Sequence, residues 1–387
     1  MGKYRMKTFE FGELVELRKE KYNPLTNKAV PCIELEHINQ NSGTINGCVY
    51  SIEQKSIKNV FHKGDILFAK LRPYLRKYWF AEFDGVCSSE IWVLKTKSIV
   101  TAEYLFCLIQ TEEFIRIANV SFGSKMPRAD WDFINHYPFT IIHSLPEQHR
   151  IVSVLSLWDT AIAKQTAMIE QLTLRKRGLK QQLLTGKKRL KGFEGEWKKC
   201  AIKSFAKEVS IRNTDNKDYV VLSCTKYDGL VPSLEYFGKQ IYSNDLSTYK
   251  VVPKNHFAYA TNHIEEGSIG YQANFNNGLI SPMYTVFETD KEKVDDTYLF
   301  AVLKSHHLIY LYQAMMEGSI NRRGGLRWDS FSTIKVNLPS LEEQKAISGF
   351  LQRSDKEIEI QKQKLSDLQE QKRGLMQQLL TGKRRVK

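Results

Sequence analysis

From Ile151 to Leu183 the seam of the chain steps by four and three in alternation: Ile151, Leu155, Trp158, Ile162, Gln165, Ile169, Leu172, Lys176, Leu179, Leu183. That spacing holds one stripe on one side of a helix and is the heptad of a coiled coil. A second stretch repeats the steps with Ile347, Leu351, Ser354, Ile358, Gln361, Leu365, Leu368, Lys372, Leu375 and Leu379. The polar interruptions coincide, Gln165 with Gln361 and Lys176 with Lys372. Polar seam positions lower stability but fix register. The residues expected to pair the helices are Ile151, Leu155, Ile162, Leu172, Leu179 and Leu183 with Ile347, Leu351, Ile358, Leu368, Leu375 and Leu379.

The two stretches are copies. Arg177 to Lys187 returns as Arg373 to Lys383 with a single change, Lys180 to Met376, and the offset of 196 residues holds back to Ser144 and Ser340. Ser144 with Glu147, and Ser340 with Glu343, spell a capping box: the serine accepts an orphan N–H and the glutamate reaches back. Gly186 and Gly382 suit the left-handed position that ends a helix. Lys187, Lys188 and Arg189, and Lys383, Arg384 and Arg385, suit the negative end of the helix dipole. The roughly 40 residues between caps give about 60 Å of helix at 1.5 Å per residue. Gly178 and Gly374 cost about 1 kcal/mol each relative to alanine, which predicts close approach by another helix.

Chain order then sets direction. A short basic linker, Lys187 to Lys199, leads from the first helix into the second globular half, which runs straight into the second helix. If that half has its ends together, as domains often do, the second helix starts where the first stops. The pair is then antiparallel about a pseudo-twofold axis, with one globular domain at each end of the rod.

The globular halves, 1–143 and 191–339, correspond loosely. Tyr104-Leu105-Phe106 matches Tyr298-Leu299-Phe300, Gly123-Ser124 matches Gly318-Ser319, and Trp131-Asp132 matches Trp328-Asp329. Strand-like runs at Ile66 to Ala69, Val86 to Leu94, Tyr219 to Leu222 and Ile280 to Phe287 precede helical stretches near 101–119 and 295–316. Each half reads as an α+β domain. The divisions are 1–143, a helical spacer at 144–190, 191–339, and a second spacer at 340–387.

Charge narrows the partners. Lys plus Arg number 57 against 43 Asp plus Glu in 387 residues, a net +14, which favours nucleic acid first and an anionic membrane second. No apolar run approaches a bilayer span and no signal-peptide core is visible near Met1, so a cytoplasmic protein without membrane attachment is expected. The six cysteines show no Cys-x-x-Cys spacing, so they read as small buried thiols and no metal site is expected. The plausible base readers are polar loops. In the first half these are Lys70, Arg72, Arg76 and Lys77, interleaved with Tyr74, and then Lys125 and Arg128. In the second they are Asn262 and His263, and then Asn321, Arg322, Arg323 and Arg327. Arginine grips guanine bidentately, asparagine does so with adenine, and lysine mainly neutralises phosphate.

Chemistry of the chain's own finds no support. Gly267-Ser268-Ile269-Gly270 is no phosphate loop, and no Walker lysine or amino-methyltransferase motif appears. Glu343-Gln344-Lys345 mimics a nuclease motif but opens a capped helix, and His306-His307 lacks spaced ligand partners.

The capped helices ending in Gln-Gln-Leu-Leu-Thr-Gly-Lys, opened by Leu145-Pro146-Glu147-Gln148 and Leu338-Pro339-Ser340-Leu341-Glu342-Glu343-Gln344, resemble those of specificity subunits of type I restriction-modification enzymes. The resemblance covers the whole chain. It implies two target-recognition domains joined by two long antiparallel coiled-coil helices. It further implies a partnership with double-stranded DNA and two methyltransferase subunits, which methylate adenine N6 at a bipartite asymmetric site, with cleavage when restriction or translocase subunits join. S-adenosylmethionine, ATP and Mg would sit on those partners, leaving this chain without a cofactor or catalytic residue. An autonomous bipartite DNA-binding regulator and an assembly adaptor are the alternatives. Two readers on such a rod would meet DNA about one to one and a half turns apart, a turn being about 34–36 Å.

Overall fold

The computed structural model describes residues 6–25, 28–120, 126–317 and 325–386. The chain divides into two compact units, one of residues 1–167 with 362–387 and the other of 168–361. Each unit therefore holds one α+β domain and half of each long helix. The helices span Leu145–Leu184 and Leu341–Leu380, 40 residues each.

Both domains are built alike. In the first, a four-stranded antiparallel sheet runs in the order Val15–Leu17, Ile91–Thr96, Ile66–Ala69, Tyr78–Phe80. In the second the order is Ala206–Val209, Tyr284–Thr289, Phe257–Ala260, Ile269–Tyr271. The central strands Ile66–Ala69 and Phe257–Ala260 are buried at every residue, as strands covered on both faces must be. A second sheet of five strands in the first domain and four in the second contains one parallel pair in each, at Cys32 with Val86 and Val220 with Gly278. The helices Ala102–Leu108 and Glu112–Ala118, and Asp296–Leu303 and His306–Glu317, pack on the antiparallel sheets. The expected continuous strands at Val86 to Leu94 and Ile280 to Phe287 are each two strands, broken at 88–90 and 281–283. Ser88 and Ser281 start the breaks, their carbonyls accepting from the N–H groups of Ile91 and Tyr284.

A two-stranded ribbon closes each domain. Met6–Glu10 pairs with Pro138–Ile142, and Lys198–Ala201 pairs with Lys335–Leu338. The second ribbon sets the entry to its domain, just past the first long helix, beside the exit that leads into the second. This meets the condition that makes the helices antiparallel. In the first unit Ile151 and Leu155 share a core with Met376, Leu379 and Leu380; in the second Leu183 shares one with Ile347 and Leu351. Burying such a side chain stabilises by about 1.5–3 kcal/mol.

The seam is driest where the domains cover it. Ile151, Leu155, Leu183, Ile347, Leu351, Ile358 and Leu379 are buried, whereas Ile162, Leu172, Leu179, Leu368 and Leu375 are half-buried. Each lysine of the seam finds an acid on the facing helix: Lys372 binds Asp159 in the first unit and Lys176 binds Asp355 in the second. Both partners belong to the repeat, so the two lysine interruptions are paired in the same way twice. Gly186 and Gly382 have φ of 70° and 69°. Past them the N–H groups of Lys188 and Arg384 return to the carbonyls of Gln182 and Gln378, closing the helices as glycine C′ positions do.

Three expectations need correcting. Nothing lies within 4 Å of a Cβ placed on Gly178 or Gly374, so no helix presses on them. The capping box is only half formed at Ser340, whose hydroxyl accepts from the Glu343 N–H at 3.3 Å. The buried Glu343 carboxylate turns instead to Arg189, which grips it through Nε at 2.5 Å and Nη2 at 2.6 Å. At Ser144 it is the backbone carbonyl that accepts, from Glu147 and Gln148. Finally, Cys48 is exposed, while Cys32, Cys87 and Cys107 are buried. Burial pushes the thiols of Cys32, Cys107 and Cys224 up to about 12.

The repeated glutamines anchor helix to domain. Gln148 accepts from the Thr101 N–H at 2.8 Å and donates to the carbonyls of Ile142 and Ile99. Gln344 accepts from the Asp295 N–H at 2.9 Å and donates to Pro339 and Lys293. Thr101 and Asp295 are the N-caps of corresponding domain helices. Gln344→Leu strands an amide and two carbonyls in the interior and is expected to destabilise by about 2–3 kcal/mol. Urea unfolding of the variant measures this, and an unchanged midpoint contradicts the anchoring role.

Candidate nucleic-acid interface

The first candidate surface starts where Ile66–Ala69 ends. The Lys70 carbonyl accepts from the Ala129 N–H at 2.8 Å, the Arg72 N–H donates to Pro127 at 2.8 Å, and Leu71 bridges Arg128. The two loops singled out in the sequence therefore lie side by side. Arg72 and Arg76 flank the turn Pro73–Leu75 with φ of 53° and 51°. Left-handed backbone without glycine stores on the order of 1 kcal/mol per residue. It presents Arg72 and Tyr74 to solvent beside the exposed Met126 and Arg128.

The other basic residues of this loop have internal partners. Lys77 donates to the Leu35 carbonyl at 2.6 Å, and Arg76 pairs with Glu112. Lys70 lies 3.9 Å from Glu90, whose other oxygen is 2.8 Å from Arg128. Glu90 was not singled out in the sequence, because its place beside the loop comes from pairing its backbone carbonyl with the Lys70 N–H at 3.0 Å. A carboxylate there can accept from cytosine N4 and holds Arg128 in one orientation.

The second surface repeats the first in its own unit. It begins where Phe257–Ala260 ends, and the Thr261 carbonyl accepts from the Leu326 N–H at 2.9 Å. Leu326 stands two residues before Trp328-Asp329, as Ala129 stands two before Trp131-Asp132. Gly325, at φ 63°, brings a Cβ position to 2.4 Å from Asn262 Oδ1 and 2.5 Å from the Thr261 carbonyl. Only glycine fits that approach. Asn262, His263 and Arg327 are exposed. His263 lies 3.6 Å from Glu266, and with Glu265 these offer ligand atoms within 4.8 Å of one another, a grouping that acidic turns make without an ion. Lys125, Asn321, Arg322 and Arg323 lie outside the described residues. Behind each surface an aromatic pair holds the Trp-Asp helix to the sheet, Trp92 with Trp131 and Phe287 with Trp328, both at 5.5 Å. No helix among the described residues is long and apolar enough to cross a membrane.

The chain is similar to proteins that share this arrangement. It is 28% identical over 192 residues to the type I restriction enzyme EcoDI specificity subunit of Escherichia coli, a match covering 48% of this chain and 41% of that one. It is 24% identical to the MjaVIII specificity subunit of Methanocaldococcus jannaschii over 78% of this chain and 75% of that one. The solved HsdS subunit from Thermoanaerobacter tengcongensis has the same fold, with a TM-score of 0.54, 16% identity and 97% of both chains covered. A chain from a study of type I R-M complex assembly and conformational transition reaches 0.63 at 14% identity over 97% of both. The family described as type I restriction modification DNA specificity domain matches residues 4–174 and 195–370. With both halves matched, and both built on one plan, the chain belongs to the type I restriction-modification DNA specificity family and carries the family's domain twice.

Proposed function

We propose that this chain is the DNA sequence-specificity subunit of a type I restriction-modification complex, each globular domain reading one half of a bipartite, asymmetric site. The observation that carries this reading is the repeated hydrogen bond, Ala129 to Lys70 and Leu326 to Thr261. It sets corresponding loops at the same corner of two domains while the side chains displayed there differ. Like corners with unlike residues serve two different half-sites. Arg72 and Arg128, and Asn262, His263 and Arg327, are exposed, and on this reading they touch bases or phosphates. Lys70, Arg76 and Lys77 shape the first corner more than they reach from it.

The duplicated helices offer the same frame twice, which suits two copies of a methyltransferase subunit and sets the unread spacer between half-sites. Restriction or translocase subunits would join that assembly. The S-adenosylmethionine, ATP and Mg consumed in methylation and cleavage belong to those partners, and this chain supplies their sequence specificity.

Arg128→Ala and Arg327→Ala test the corners. With the methyltransferase partner present, each is expected to slow methylation of the cognate duplex tenfold or more and to relax only one half-site, since a good base contact discriminates by about 1–3 kcal/mol. Rates on duplexes substituted in each half-site separate the outcomes. If both variants match the wild type on every duplex, the loops are not the readers.

A further inference from the structure

A cavity of about 880 Å³ opens within the second unit. Its walls are the last turns of the first long helix, the start of His306–Glu317 and the ribbon Lys198–Ala201 with Lys335–Leu338. The size falls in the range of small-molecule sites, about 300–1,000 Å³. Among the described residues five cations line it, Arg177, Lys180, Lys199, Lys304 and Lys335, and no lining residue is a carboxylate. Lys304 is already held by the Lys226 carbonyl at 2.9 Å. Lys199 and Lys335 share one face of the ribbon, because Lys199 is opposite Asn337 and Lys335 opposite Ala201. The floor is apolar, with Leu184, Leu308, Leu311 and Ile334. Burial and the nearby Lys176 hold the Lys180 ammonium below its usual pKa, as expected of a cation without enough counter-charge.

The first unit is built differently at this place. Lys180 is the single position at which the repeated segment changes, and its counterpart Met376 is buried in the core with Leu380. Where the second domain has Ser305-His306-His307, the first has Thr111-Glu112-Glu113, each opening the corresponding helix. A surface for the duplicated partner would be expected in both units. Cationic walls and an apolar floor, at a place where the first unit has a buried methionine and two glutamates, point instead to a single small ligand.

We propose that this cavity binds a phosphorylated small molecule with an apolar or aromatic body, of the nucleoside phosphate class, its phosphates among Lys180, Lys199, Lys335 and Arg177 and its body on the apolar floor. The proposal is independent of which bases the domains read.

Calorimetric titration of the full chain in 150 mM NaCl, with ATP, tripolyphosphate and adenosine as probes, tests it. ATP is expected to bind one to one, with tripolyphosphate and adenosine each at least tenfold weaker. Lys180→Met, which installs the residue of the other repeat, and Lys199→Glu, on the exposed ribbon, are each expected to weaken ATP at least tenfold. Absent or multi-site ATP binding, unchanged affinity in both variants, or displacement of ATP by a short DNA duplex overturns the proposal.

Discussion

Ile347→Ala is expected to destabilise the second unit by about 2–5 kcal/mol, the range for deleting a fully buried isoleucine side chain beyond Cβ. Ile347 is 0% exposed and sits in one core with Leu183 of the other long helix and with Leu299, Leu303 and Val336 of the domain. The cavity left behind therefore faces both the helix pair and the domain. Ile151, its partner in the repeat, is also 0% exposed, in the first core, and Ile151→Ala should cost a similar amount there. Ile360→Ala, at a position 55% exposed off the seam, should change stability by less than about 0.5 kcal/mol. Urea unfolding of the three variants checks the order. Equal effects at Ile347 and Ile360 would mean that the seam does not hold the helices.

The second large effect is on the spacing of the DNA site. One heptad inserted after Ala167 and one after Gln363, matched points of the repeat, lengthens each helix by about 10 Å and preserves the seam. At about 3.4 Å per base pair, the preferred spacer should grow by about three base pairs while both half-sites stay the same. A duplex library with graded spacers, methylated by the reconstituted complex, reads this out. A preference that does not move would show that the helices are not the ruler. An insertion in one helix alone breaks the register of Lys176 with Asp355 or Lys372 with Asp159 and should abolish activity at every spacing.

What was legible beforehand was what repeats locally. Helix periodicity acts over three or four residues, so the seam, the left-handed glycines and the antiparallel pairing could be read from Ile151, Gly186 and the short linker. Contacts between residues far apart in the chain could not. Gln148 and Gln344 showed only as matched letters; their partners, Thr101 and Asp295, lie 47 and 49 residues away. Glu343 reads as a capping residue because its neighbours permit one, and a contact with the half-buried Arg189, 154 residues earlier, overrides that local choice. The same limit applies to the candidate readers. The four basic residues between Lys70 and Lys77 look equivalent in sequence, but Leu35, Glu90 and Glu112 decide which of their side chains remain available.

The most direct measurement is the adenine methylation pattern across a genome, made with this chain and its methyltransferase partner. The account predicts one asymmetric motif in two specified parts around an unspecified gap, with one part altered by changes at Arg128 and the other by changes at Arg327. A single uninterrupted motif, or methylation without sequence preference, would contradict it.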